Sequence, residues 1–272
     1  MAAAPVVLVA TDLSARCDRA VDRAFMLARQ LSGSVIVTHI AGASPLPQLK
    51  EDEIRQFIAS DLGARPTEAQ IVIGYGPVPG AIAQAARAHA ADVTVTGVGH
   101  LNELRDYFLG TAVDYLVRQS PTPVLVVKQR ALGPYDCIIA ATDFSVCSQT
   151  AIEAAAALLP GARIRLVHAY QPSFEGLLNA KETAAFVREG CETEMNSFVQ
   201  KLSADIRSRM EIHLEEGDLT RVLERKLREL PGSLLVIGSH GQSGISYAAL
   251  GSRAAELLAS EPSDILVVRP SH

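Results

Sequence analysis

The sequence predicts an α/β fold built twice: two open parallel sheets in tandem, each with helices on both faces. Three observations carry that prediction. Residues 5–11, 34–40 and 123–128 are near-continuous apolar runs rich in β-branched side chains, as in strands buried on both faces. Helix-period segments alternate with such runs, which is the pattern of a parallel sheet with crossover helices. The whole order then restarts after residue 135.

In the first half, residues 5–11 form the first strand, followed by Asp12, Leu13 and Ser14. Ala20, Ala24, Leu27, Ala28 and Leu31 recur at helical spacing, so residues 16–31 read as a helix stopped by Gly33. A second strand spans 34–40. Pro45 and Pro47 mark a loop over 41–50, and residues 51–62 return to helix. A third strand over 69–73, an alanine-rich helix over 78–90 and a fourth strand over 92–96 follow. Gly110 and Thr111 open a helix that ends before Pro121, and residues 123–128 make a fifth strand.

The second half repeats these landmarks. Ala10, Thr11 and Asp12 return as Ala141, Thr142 and Asp143, and His39 returns as His168. Gly97, Gly110 and Val124 return as Gly238, Gly251 and Ile265, each 141 residues later. Agreement at four places in one order is the signature of a duplication. The spacing lengthens between the second and third strands, so about a dozen extra residues fall within 170–208. The expected domains are residues 1–130 and 135–272, joined by a short linker containing Gly133 and Pro134.

Composition narrows the function. Aromatic residues are only 5% and Trp is absent, which disfavours a base-stacking platform for single-stranded nucleic acid. A net charge of -5 without a basic cluster argues against a phosphate-backbone binder. Four cysteines without a Cys-x-x-Cys pair argue against a disulfide framework or a cysteine zinc site. No apolar run reaches membrane-spanning length, so the expectation is a cytoplasmic protein with no nucleic-acid partner and no membrane span.

The chemistry concentrates late in the chain. The apolar run Leu234, Leu235, Val236, Ile237 ends at Gly238, Ser239, His240 and Gly241; after nine intervening residues come Gly251 and Ser252, which open a helix. Glycines let a backbone approach an anion without a Cβ in the way, and a helix start presents unpaired N–H groups. That combination is a candidate phosphate cradle. Its plain alternative is an ordinary helix start with Ser252 near the cap.

The strand ending Ala-Thr-Asp-Phe-Ser and the spacing Gly-x-x-Gly-x9-Gly-Ser after a fourth strand resemble the universal stress protein family. Two copies make the chain similar to the tandem type of that family. The resemblance implies two Rossmann-like domains, each a five-stranded sheet of order 3-2-1-4-5. It also implies that members with the glycine motif bind ATP at the carboxyl ends of strands one and four, where strand order reverses. The motif is complete at Gly238, Gly241, Gly251 and Ser252.

By that resemblance Ala141, Thr142 and Asp143 line the ribose and base side, and Ala169 lies near adenine. Asp143 also fits as a turn aspartate capping the following helix, and its twin Asp12 in the first half means the residue alone does not separate binding from capping. Arg253 and His240 either reach phosphate or face water. The implied ligand is ATP, with Mg2+ or Mn2+ held mainly by its phosphates. No general base stands out beside the phosphates, so hydrolysis is expected to be slow at most. In the first half His100 replaces the second glycine and Ala112 replaces the arginine, so its motif is degenerate.

Two other functions stay open from sequence. One is a weak ATPase or nucleotidyl-transfer enzyme in which Asp143 and His240 position metal or water. The other is a small-metabolite or lipid-binding module using the first domain and the 170–208 insertion. The stretch Gly74 to Gly80 has Gly-x-Gly-x3-Gly spacing, one residue too long for a dinucleotide fingerprint. Each half ends in an apolar strand whose edge needs cover. The two halves are expected to cover each other within the chain, with a homodimer as a further possibility. The insertion, with Phe174, Leu177, Leu178, Phe186 and Phe198, is expected to cover a pocket or an interface.

Overall fold

The computed structural model describes residues 4–15, 17–41, 50–63, 69–98, 111–171, 180–241 and 250–270. In the first half the elements are β1 (Val6–Thr11), α1 (Asp18–Leu31), β2 (Ser34–Ala41), α2 (Glu51–Leu62), β3 (Ala69–Tyr75), α3 (Val78–Ala88), β4 (Val93–Gly97), α4 (Thr111–Gln119) and β5 (Val124–Val127). The second half follows with β6 (Cys137–Ala141), α5 (Val146–Leu158), β7 (Arg163–Tyr170), α6 (Ala180–Gln200), α7 (Ala204–Ser208), β8 (Met210–Glu216), α8 (Leu219–Glu229), β9 (Leu234–Gly238), α9 (Ser252–Ser260) and β10 (Ile265–Val268). Each expected strand and helix forms, with ends moved by a few residues.

The strand order is β3-β2-β1-β4-β5-β10-β9-β6-β7-β8. Each half has the expected parallel order, and the halves meet as one sheet. β5 and β10 run antiparallel, with Leu266 opposite Leu125 and Ile265 opposite Val126. Two apolar edge strands that would otherwise lie open thereby satisfy each other's backbone.

The strands are apolar on both sides because helices cover both. Val7 and Val9 pack with α1, α2, α5 and α6 on one face. Leu8 and Ala10 pack with α3, α4, α8 and α9 on the other. Alternating side chains of one strand therefore feed two separate cores.

One position differs from the sequence expectation. The residue in the left-handed region that ends α1 is Ser32 (φ 51°), whereas Gly33 is needed for space, since a Cβ there would overlap the Pro5 carbonyl oxygen. Gly76 and Gly217, in matching turns after β3 and β8, have φ of 100° and 139°, a conformation that favours glycine. The glycine-rich stretch 74–80 is thus the end of β3, a turn at Gly76 and Pro77, and the start of α3.

A buried polar cluster ties the halves together. Asp264, just before β10, accepts hydrogen bonds from the backbone N–H groups of Lys128 (2.7 Å) and Gln129 (2.9 Å) and from the Tyr135 hydroxyl (2.6 Å). Arg23 of α1 reaches the same carboxylate at 3.3 Å and lies over the Tyr135 ring at 4.2 Å. Arg23 and Asp264 are 4% and 2% exposed, so the charges meet away from water. A second device occurs twice. Lys128 donates to the main-chain oxygens of Leu258 and Glu261 at the end of α9, and Arg269 donates to that of Arg118 at the end of α4. Cations suit these negative helix ends.

Candidate functional site

The site begins with a turn that the chain makes twice. At the end of β6, Thr142 Oγ1 accepts from the Phe144 N–H (2.9 Å) and Asp143 Oδ1 from the Ser145 N–H (3.1 Å). Phe144 is thereby held at φ 66°. After β1, Thr11 and Asp12 make the same bonds to Leu13 and Ser14, and Leu13 sits at φ 63°. The Asp143 carboxylate thus has a turn-forming role, while the cap of α5 is Ser145, which accepts from the Ser148 N–H. His168 and His39 also match, with each Nδ1 bonded to the carbonyl of the adjacent threonine, Thr142 or Thr11. In the second half the His168 ring stacks on Phe144, with centroids 4.2 Å apart.

β9 brings the glycine motif beside this turn. A Cβ on Gly238 would lie 3.0 Å from the Cys147 backbone of α5. One on Gly251 would lie 3.3 Å from the Ser239 carbonyl. The Gly251 N–H donates to that carbonyl at 2.8 Å, and the Ser239 N–H donates to Val268. These bonds close the neck of the loop. The sequence expectation that the Gly251 N–H faces an anion is therefore corrected: it is committed to Ser239. The N–H groups without an intrahelical acceptor are those of the first turn of α9, beginning at Ser252.

A cleft of about 450 Å³ opens at the carboxyl ends of β6 and β9. Of the residues expected from sequence, Ala141, Thr142, Asp143, Gly238, His240, Gly241, Gly251, Ser252 and Arg253 line it together. Ala169 is absent from the lining; it packs on β7 against the core beneath α8. Sequence alone missed Phe144, His168, Leu219 and Leu257 as walls, and Cys191 and Glu194 of α6. The wall residues sit beside motif positions, so the strand and helix ends would have pointed to them. Cys191 and Glu194 carry no local signal, because the fold of α6 delivers them.

The insertion thus contributes directly to the cleft. Met195 and Phe198 of α6 are buried, and Phe198 packs near Phe144 (5.9 Å between centroids). Phe186 is 77% exposed. Phe174, Leu177 and Leu178 lie outside the described residues.

Both signs of charge line the cleft. Arg253 is held along α9 by Glu256 (3.0 Å), which also accepts from the Thr220 hydroxyl. His240 Nδ1 pairs with Ser239 Oγ at 2.8 Å. Burial pushes the thiols of Cys147 and Cys191 up, away from reactive thiolate character.

In the first half Gly97 ends β4 and Ala112 lies in α4. His100 and Gly110 lie outside the described residues, so the contrast at those positions rests on sequence.

Comparison with known proteins adds the following. The model of the universal stress protein family matches residues 5–128 and 134–269. A protein of unknown function from Pseudomonas aeruginosa PAO1 is similar in structure, with TM-score 0.70 at 20% identity, over 98% of this chain and 93% of that one. A universal stress protein from Archaeoglobus fulgidus DSM 4304 aligns with TM-score 0.64 at 17% identity, over 99% of this chain and 97% of that one. At these identities the likeness concerns the fold. No curated protein matches the sequence.

Proposed function

The chain belongs to the universal stress protein family, and from that footing we propose that its second domain, residues 135–272, binds ATP as a regulatory or signalling ligand. The first domain, residues 1–130, carries the degenerate motif and serves mainly as the structural partner.

The observation that carries this reading is the convergence of the complete glycine motif and the Thr142–Asp143 turn on one cleft at the strand ends. Its volume lies within the range of about 300–1,000 Å³ usual for small-molecule sites. The first turn of α9, at Ser252 and Arg253, offers N–H donors and a positive dipole end to phosphates. Arg253 adds a cation once it turns from Glu256. The apolar walls at Ile237, Leu219 and Leu257 suit a flat base, and the His168–Phe144 stack gives the cleft an aromatic surface. Asp143, beside Gly241, is better placed for ribose hydroxyls than for phosphates, since like charges repel.

ATP would bring Mg2+ or Mn2+ on its own phosphates. Among the described residues no group of three or more His, Cys, Asp or Glu is gathered to hold a metal ion. In this reading ATP is a bound ligand, with hydrolysis slow at most. Among the described residues no helix is long and apolar enough to cross a membrane, and a cytoplasmic location accompanies this reading.

Isothermal titration with ATP and Mg2+ tests the proposal. One saturable site per chain is expected. Two equivalent sites, or none, would refute the asymmetry or the assignment.

A further inference from the structure

The two halves exchange cations at their junction. Lys128 follows β5, and its ammonium donates to the main-chain oxygens of Leu258 (2.6 Å) and Glu261 (2.5 Å) at the end of α9. Arg269 follows β10, and its guanidinium donates to the main-chain oxygen of Arg118 near the end of α4. Each half thus holds the last helix of the other. The two helices are not equivalent, because α9 begins in the nucleotide cleft, at Ser252 and Arg253. We propose, resting on the nucleotide reading above, that Lys128 of the first half is a positioning residue for the nucleotide site of the second: it holds α9 by its far end and so sets the first turn of that helix in the cleft.

The first ground is mechanical. α9 is nine residues long, so its ends are about 13 Å apart. Ala254, Leu257 and Leu258 bury it against the sheet. Such burial is non-directional and fixes the depth of a helix more than its position along its own axis. Directional bonds at the two ends fix the latter. At the cleft end the Gly251 N–H donates to Ser239 and the Ala255 N–H to Gly251. At the far end stand the two bonds from Lys128. Lys128 is itself pinned, because its main-chain N–H donates to Asp264 at 2.7 Å, in the cluster with Arg23 and Tyr135. The N–H groups that face phosphates belong to the same rod, so a shift at one end is a shift at the other.

The second ground is charge. A cation suits the negative end of a helix, and hydrogen bonds from an ammonium are stronger than neutral ones. The Lys128 side chain is half-buried and faces the buried acids Glu261 and Asp264, the latter shared with Arg23 and the Tyr135 hydroxyl. Burial lowers the ammonium from 10.5 to about 8, against the pull of those two acids. The hold on α9 is therefore strongest below that value and weakens as the proton leaves. Arg269, its counterpart on α4, keeps its charge throughout.

Calorimetric titration of the full chain with ATP and Mg2+ is the test. Lys128→Met keeps the stem and removes the donors, and ATP affinity at about pH 7 should fall by about tenfold. Lys128→Arg keeps a cation with its donors, and affinity should stay within about threefold. Arg269→Met removes the matching clamp on α4 and should leave ATP affinity unchanged, which a general loosening of the junction would not. Wild-type affinity should also fall severalfold between about pH 7 and about pH 9, while that of Lys128→Arg stays level. This profile keeps the test decisive if Lys128→Met folds poorly. Wild-type affinity in folded Lys128→Met, an equal loss in Arg269→Met, or a level wild-type profile would overturn the proposal and leave the nucleotide reading standing. No ATP binding by the wild type would overturn both.

Discussion

The Cα of Gly241 lies against the carboxylate of Asp143: a Cβ added to Gly241 would stand 2.7 Å from Asp143 Oδ2. The other carboxylate oxygen of Asp143 holds the turn at Ser145. The loop after β9 is therefore seated on the turn after β6. The two strand ends form one unit, although 98 residues of sequence separate the pair.

Gly241→Ala tests that seating. The new methyl group must displace either the Asp143 carboxylate or the loop. ATP affinity is expected to fall by about tenfold, or ~1.4 kcal/mol, with folding retained. Titration of the variant at its full folded concentration measures this, and wild-type affinity would show that the contact has no part in the site.

Ser252→Asp separates binding from stability. An acidic residue in the first turn of α9 suits the helix dipole, by about 0.3–1 kcal/mol, so the melting temperature should hold or rise. The same charge should repel phosphates and abolish ATP binding. A variant that still binds ATP tightly would remove α9 from the proposed site.

Asp264→Ala should loosen the junction of the halves. It leaves the Arg23 guanidinium, the Tyr135 hydroxyl and two backbone N–H groups without their shared acceptor. Removing one member of a buried ion pair costs about 3–5 kcal/mol. Urea denaturation reads the loss; a change below about 1 kcal/mol would mean the cluster is not a structural anchor.

Lys128 gives a pH signature. Burial lowers its ammonium from 10.5 to about 8. Between those values the unfolded chain holds a proton that the folded chain has released. Stability from this group must therefore rise as pH increases through that window. Comparing wild type with Lys128→Met at about pH 7.5 and about pH 10 isolates it, since other titrating groups are shared. Wild type should gain on the variant at the higher pH. A constant difference would contradict the burial of the charge.

Much of the site was legible because its residues end elements. Gly238 closes an apolar run, Ser252 opens a helix, and the duplicated Thr-Asp pair marks both first strands. Sequence could not say how these residues use their bonding groups. Asp143 was divided between helix cap and ligand, whereas the cap of α5 is Ser145 and Asp143 accepts from the Ser145 N–H. Gly251 was expected to face an anion, and its N–H closes the loop neck instead. Cys191 and Glu194 were invisible, because a residue in the middle of a helix announces nothing about the cleft it overhangs.

The sequence by itself determined the duplication, the alternation of strands and helices, and the order of the chain's landmarks. Those are local and periodic properties, written in side-chain spacing. The tertiary structure decided what depends on approach in space: the joining of β5 to β10, the shared acceptor at Asp264, and the buried carboxylate of Glu261. Desolvation and hydrogen-bond competition act between residues far apart in the chain, and no spacing rule encodes them. The glycine motif could be found by its spacing, but the contact of Gly241 with Asp143 exists only because two strand ends meet.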